Sequence, residues 1–526
     1  MSGRPEWIDR LRCLSHGAAV EDAGGWVEVR TTSDTMRELA ITLVEAHGCE
    51  FATLVVEAAD TATDGIAMRY FLYTRDDSTV IAIRIDLAEG LPLPSISDRV
   101  HAADWHEREA EDLFGIRFDG HPFLGDFVLH DAVWPEDVAP MRRSFDATKR
   151  VEQHGLGEAW TPRRILHQEG SIAFPVGPIW ADYNEAGMWL LETPGEQIYE
   201  SQTRLFYKYR AVEKIAEGQA PERGVLLAER FSGSSAFAHA YAYCQALEKI
   251  ARCEVPPRAR ILRALFAELE RIRYHAATIA ELAGSTSLTV GKSMSQEIEE
   301  RMLRLSGEVC GHRYLFGVCT PGGLASDPGA AALTTLQAGV ADAAKEFARL
   351  ERRFMHTSSY LDRIEEMGTL RPEVADLYGV VGPVARASGR QVDLRRSLPY
   401  GVYADHPPEI PREIEGDGYA RLRVYFAEIR ASTALIQALL AAVPGGPVRA
   451  ECPVTPGTAL AWTEAPAGGT FHWLRIDDAG HIGRWRIGPP GFRNWHAFHR
   501  ALEGAAFQDF HIVLASFGLS VAESDR

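Results

Sequence analysis

The sequence predicts an α+β chain, with an N-terminal α/β unit followed by a longer, mainly helical region carrying peripheral β-hairpins. Three observations support this. Up to about residue 145, short runs of strand formers alternate with one helical period, the pattern of a small mixed sheet. From residue 256 onward, apolar side chains recur at three- and four-residue steps over several long stretches. Between the two lies a polar stretch over residues 150–165, broken by Gly155, Gly157 and Pro162, which reads as a linker. The predicted organisation is therefore a first domain at 1–148, a linker at 149–170 and a second domain at 171–526.

The elements follow in order. Residues 26–30 form a short strand, 35–47 have helical periodicity, and 50–58 are rich in strand formers. Residues 66–73 and 79–87 alternate apolar and polar side chains around R-D-D-S, which predicts a hairpin. A β-meander is expected over 171–199, with Pro194-Gly195 as a turn. Long helices are predicted at 256–282, 293–316, 330–366 and 417–443, and a last hairpin at 470–476 and 481–487.

Composition narrows the function. The 526 residues are 46% apolar and 24% charged, as in an ordinary folded chain with ample material for a large core. A formal charge of −18 argues against a nucleic-acid partner, since phosphate neutralisation needs clustered Lys and Arg. The longest apolar runs, such as 433–443, are too short to span a bilayer, and M-S-G-R-P-E-W lacks the apolar core of a secretory signal. Membrane association is therefore expected only through partners. The seven cysteines never fall as C-x-x-C and are odd in number, so reduced thiols are expected and no metal or cluster site of the chain's own.

Several motifs carry a family resemblance. The stretch E-R-E-A-E-D-L-F-G-I-R-F-D-G-H-P at 107–122 closely resembles the signature of the 30 kDa-class peripheral subunit of respiratory complex I, and P-M-R-R-S-F at 140–145 resembles its tail. The resemblance implies an assembly domain. Glu107, Glu109, Glu111 and Asp112 are accordingly expected on a solvated helix face, with Gly115 ending the helix.

The second region resembles the large subunit of membrane-bound, formate-hydrogenlyase-type nickel–iron hydrogenases and the related 49 kDa subunit of complex I. In A-E-R-F-S-G-S-S-A-F-A-H at 228–239, the residues Glu229, Arg230, Gly233, Phe237, Ala238 and His239 match the hydrogenase pattern, while Ser232 and Ser235 stand in its cysteine slots. At 515–526, A-S-F-G-L-S-V-A-E-S-D-R resembles the closing motif, with Ser520 and Glu523 on the last two cysteine positions. A soft nickel–iron pair needs bridging thiolates, and a serine hydroxyl stays protonated near neutral pH. The resemblance thus implies a hydrogenase-like large subunit without hydrogenase chemistry, binding no metal itself.

Other motifs refine that expectation. Trp180 and Asn184 fall on the histidine slots that bind the quinone headgroup in complex I, which weakens ordinary quinone reduction. Arg210 in Y-R-A-V-E-K and His275 in E-L-E-R-I-R-Y-H match positions that lie beside the partner subunit's terminal iron–sulfur cluster. The bland alternatives are a helix salt bridge from Arg210 to Glu213 and a satisfied core histidine. G-V-V-G-P-V-A-R-A-S-G at 379–389 resembles a tight turn lining the family's active-site cavity, and Ala467 replaces the basic residue of E-A-P-R-G.

The resemblance implies a coupling and electron-transfer subunit of a complex I-like, ion-translocating assembly, on the cytoplasmic face of the cell membrane. Expected partners are a small iron–sulfur subunit, a ferredoxin-like subunit and antiporter-like membrane subunits, with quinone as the cofactor in question. The alternative is an inert scaffold of the same complex.

Overall fold

The computed structural model describes residues 4–58, 65–88, 90–151, 164–167, 169–179 and 185–526. The N-terminal sheet has five strands in the order Ala19–Asp22, Val27–Arg30, Val80–Leu87, Ile66–Tyr73, Glu50–Ala58, all antiparallel except the parallel pair Val27–Arg30 and Val80–Leu87. The helix Ser33–Glu45 buries Met36, Leu39, Ala40 and Leu43, the i, i+3, i+4, i+7 set of one helix face.

Every residue of Ile66–Tyr73 is buried, because both faces of the sheet are covered. Met68, Tyr70 and Leu72 face the same core as the helix Ser33–Glu45, whereas Phe71 and Tyr73 pack with Leu394, Leu460, Phe471 and Trp473 of the second domain. The edge strand Glu50–Ala58 is covered as well. Arg493, Arg486 and Arg484 donate to the carbonyls of Phe51, Leu54 and Val56 at 2.9, 2.9 and 3.0 Å. Buried guanidiniums thus satisfy carbonyls that another strand would otherwise take.

The acidic helix Asp104–Phe114 corrects the sequence expectation. Gly115 does end it, in the left-handed conformation at φ 64°, but the face is not solvated. Glu107 and Glu109 are buried. Glu107 accepts from Tyr70 (3.0 Å), Ser97 (2.6 Å) and the Ile96 N–H (3.1 Å). Asp112 accepts from the N–H groups of Val128 and Leu129, and Glu111 from that of Gly125.

The second domain opens on a meander, Ile172–Val176, Met188–Thr193 and Glu200–Arg204, whose third strand lies beyond the predicted end at 199. Its centre is a packed set of long helices, Pro257–Ser285, Thr289–Cys310, Gly329–Met355 and Gly418–Ala442. The helix predicted at 330–366 stops at Met355 and restarts as Ser358–Ile364. The last hairpin gains a strand, giving Gly457–Ala465, Gly468–Ile476 and Ile482–Gly488 in antiparallel order. Among the described residues, Gly418–Ala442 alone reaches the length and apolarity of a membrane span. Here it packs against the other long helices and carries buried Arg421 and Glu428 inward. All seven cysteines are free, with Cys49, Cys244 and Cys319 buried and Cys13 exposed.

Candidate functional site

The two serine-bearing motifs meet. Ser235 precedes the helix Ala236–Ala251, whose first N–H groups, those of Phe237 and Ala238, are taken by the Glu270 carboxylate at 2.7 and 3.0 Å. That carboxylate supplies the acceptor a bare helix N-terminus needs, and the helix dipole favours its charge. Burial nevertheless raises Glu270 to about 7, with Arg273 and the two backbone bonds opposing. One turn into the helix, His239 reaches the C-terminal helix Val521–Asp525, with Nε2 2.9 Å from Glu523 Oε1.

The hydrogen bonds fix the tautomers around His239. Trp485 Nε1 has only a proton to give, and it lies 3.3 Å from His472 Nδ1. His472 therefore carries its proton on Nε2 and donates to His239 Nδ1 at 3.0 Å. His239 in turn donates from Nε2 to Glu523. Burial holds His472 well below the ordinary histidine value, and the neighbouring His239 and Arg526 push it the same way. The result is a directed chain from Trp485 through His472 and His239 to Glu523.

Of the four residues in cysteine slots, Ser232, Ser235 and Glu523 are fully buried and Ser520 is half-buried. Ser232 Oγ lies 3.0 Å from Ser234 Oγ. Ser520 caps its short helix by accepting the Glu523 N–H at 3.3 Å. Ser235 Oγ has no hydrogen-bond partner among the described residues. Glu229 accepts from the Gly317 N–H at 2.7 Å, and Arg230 lies over the Phe316 ring. A cavity of about 450 Å³ adjoins this seam, lined by Ser234, Arg273, Tyr274, Glu281, Lys292 and Ser520. Trp180 and Asn184 lie outside the described residues; the neighbouring Glu185 accepts the Ala522 N–H.

Arg210 is exposed and holds the C-terminal segment, donating to the Ala522 carbonyl at 2.7 Å. A helix pair with Glu213 does not form, because Arg484 and Arg526 occupy that carboxylate at 2.9 and 3.0 Å. Burial alone would raise Glu213, but these arginines and Arg486 pull it down to about 2. His275 is fully buried, with Nε2 2.8 Å from Glu428. Burial lowers its affinity for a proton and Glu428 opposes. Arg386, Asp393 and Arg395 sit in the same buried ion cluster, and the tight turn expected at 379–389 contains the short helix Gly382–Ala387.

Sequence reasoning missed a second cavity of about 630 Å³ between the domains, where His101, Trp105 and Arg108 face Tyr378, Trp495 and His496. His101 stacks on Tyr378 at 4.9 Å, and Tyr378 also touches His496 and His499. The i, i+3 spacing of His496 and His499 was the only local signal, and it is a weak one.

Two family models match this architecture. The 30 kDa subunit of respiratory-chain NADH dehydrogenase matches residues 29–151, and the 49 kDa subunit matches 289–455 and 448–526. The chain is a fusion of these two subunit types. Formate hydrogenlyase subunit 5 of Escherichia coli (strain K12) is 29% identical over 464 residues, 87% of this chain and 81% of that one. The C/D protein of NADH-quinone oxidoreductase from Bdellovibrio bacteriovorus is 27% identical over 494 residues, 87% of each. Hydrogenase-4 component G of Escherichia coli (strain K12) is 28% identical over 446 residues, 84% of this chain and 77% of that one. The fused 30/49 kDa-type chain is therefore a subunit of the kind found in NADH-quinone oxidoreductase or hydrogenase-related complexes. The 228–239 motif falls between the matched segments, and the 515–526 motif inside one.

Proposed function

We propose that this 30/49 kDa-type chain is the coupling subunit of a complex I-like or hydrogenase-related complex and builds no nickel–iron centre. The observation that carries the reading is the bond between His239 and Glu523. The residue in the last cysteine slot is a carboxylate already engaged by an imidazole, and the other three slots hold serine hydroxyls. Three hydroxyls and one carboxylate do not fit a soft, redox-active metal pair, for which thiolates are the matching donors.

In this reading the chain covers the cluster of a small iron–sulfur subunit, with Arg210 and His275 turned to that task. It also transmits charge or conformational changes toward membrane subunits from the cytoplasmic face. The names of the relatives support membership of a multisubunit redox assembly. The engaged His239–Glu523 pair supports a role other than hydrogen activation.

The test is metal content per copy in the complex purified from detergent-solubilised membranes through a tag on this chain. Iron without nickel, in multiples that fit partner clusters, is expected. Stoichiometric nickel overturns the reading, and absence of both metals favours a scaffold.

A further inference from the structure

The helical domain encloses an ion cluster of which the proposed function uses only His275. Four carboxylates (Glu268, Asp393, Glu428, Glu464), three guanidiniums (Arg271, Arg386, Arg395) and His275 are each at most 3% exposed. The partners are unevenly shared. Glu268 takes Arg395 Nη1 on both of its oxygens at 3.0 Å, together with Tyr403 and Ser432 at 2.7 and 2.6 Å. Glu428 takes Arg386 Nε at 2.6 Å and His275 at 2.8 Å. Asp393 takes Arg395 through its Nη2 at 2.7 Å and its Nε and backbone N–H as well.

Glu464 is left with one weak share of a guanidinium. Its Oε1 lies 3.1 Å from Arg386 Nη1, and its Oε2 accepts the Leu394 N–H at 3.0 Å. That Nη1 carries two hydrogens but faces three oxygens within 3.1 Å: the Val392 carbonyl, Asp393 Oδ2 and Glu464 Oε1. Two hydrogens are thus shared among three acceptors, and the longest of the three contacts falls to Glu464, whereas Asp393 also has Arg395. Within this hydrogen-bonded set four carboxylates stand against three guanidiniums, in a medium where unpaired charge is costly, while Arg493 adds a buried cation nearby.

The remaining ionisable neighbours do not fill the deficit. Arg493 directs its two Nη groups to the Phe51 and Gly469 carbonyls, and its Nε–H has no hydrogen-bond partner among the described residues. Arg271 reaches the backbone carbonyl of Glu464, not its carboxylate, at 2.6 Å. Tyr400 meets Glu464 by accepting its backbone N–H at 3.0 Å. His275, at the far end, has its affinity for a proton lowered by burial, with Glu428 opposing, and its Nδ1 lacks a partner among the described residues.

We propose that Glu464 is a proton-binding site, a buried carboxylic acid that holds one proton at neutral pH within the Arg386 cluster. Burial and the Asp393 carboxylate together raise it to about 7, so a change of charge nearby loads or empties it. The site stands on its own geometry and does not depend on the redox reading above.

The test is infrared spectroscopy of the purified complex across neutral pH, wild type against Glu464→Gln. The expected result is the loss, in the variant, of one C=O stretching band of a protonated carboxyl group, while the bands of other buried acids such as Glu107 and Glu270 persist. A second readout is thermal unfolding. A carboxyl raised in the folded chain costs stability as pH climbs from its ordinary 4.5 to about 7, so the melting temperature of wild type relative to Glu464→Gln falls across that window. Identical spectra, or a flat difference in melting temperature, overturn the proposal. So does a Glu464→Gln chain that fails to fold, because the amide reproduces the shape and neutrality of the protonated acid.

Discussion

Arg526 and Glu109 form a buried ion pair across 417 positions of the chain, joining the C-terminal helix to the acidic helix of the N-terminal domain. Arg526 also pairs with Glu213 at 3.0 Å, and Glu109 with Arg486. Both domains therefore contribute to one charged knot. Removing one partner strands a buried charge, which typically costs about 3 kcal/mol or more. Glu109→Ala is expected to lower stability by that order in denaturant titration. A double-mutant cycle with Arg526→Ala is expected to give a coupling of about 1–3 kcal/mol. Additive effects would mean that the two side chains are not in contact.

The His239–Glu523 bond makes a separate prediction. Glu523→Ala leaves the His239 Nε2–H without its acceptor in a buried seam, which costs about 1–3 kcal/mol. Glu523→Gln keeps an acceptor oxygen and is expected to lose less. Nickel content of the purified complex is expected to remain at background in wild type and in both variants. A wild-type complex that carries nickel and loses it in Glu523→Ala would show that this carboxylate ligates metal.

Much of the fold was legible from local pattern. The strand Glu50–Ala58 and the glycine ending the acidic helix follow from residue type and spacing. The signatures at 107–122 and 515–526 led to the family. What local pattern could not give was the destination of charged side chains. Glu109 reads as solvated because its arginines, Arg486 and Arg526, lie hundreds of residues away. Arg210 looked like a partner for Glu213 until the fold brought Arg484 and Arg526 to that carboxylate. The strand Gly457–Ala465 was missed because its apolar–polar alternation is blurred by burial on both faces, with Ala459, Leu460 and Ala461 buried in succession.

The interdomain seam makes the last prediction. His106 and His496 are both held well below the ordinary histidine value, chiefly by burial. Arg486 adds to this at His106, donating to its Nδ1 at 2.9 Å, and the other seam histidines add at His496. His101 and His499 are lowered as well, again first by burial. Around them stand Asp104, raised by burial, and the cations Arg108 and Arg500. The sign follows from proton counts. Below 6.5, the ordinary value, the unfolded chain binds protons that the folded seam refuses, so stability is fully present above that pH and falls as pH drops. Each refused proton contributes a slope of up to about 1.4 kcal/mol per pH unit. His496→Gln, which keeps a polar side chain but cannot titrate, is expected to flatten the acid limb of a melting-temperature profile by about one proton's worth. Amide hydrogen exchange at mildly acidic pH is expected to rise first in the helices Asp104–Phe114 and Gly491–Leu502, which meet across the seam. Exchange that rises first in Pro257–Ser285 instead would place the acid-sensitive group inside the helical domain.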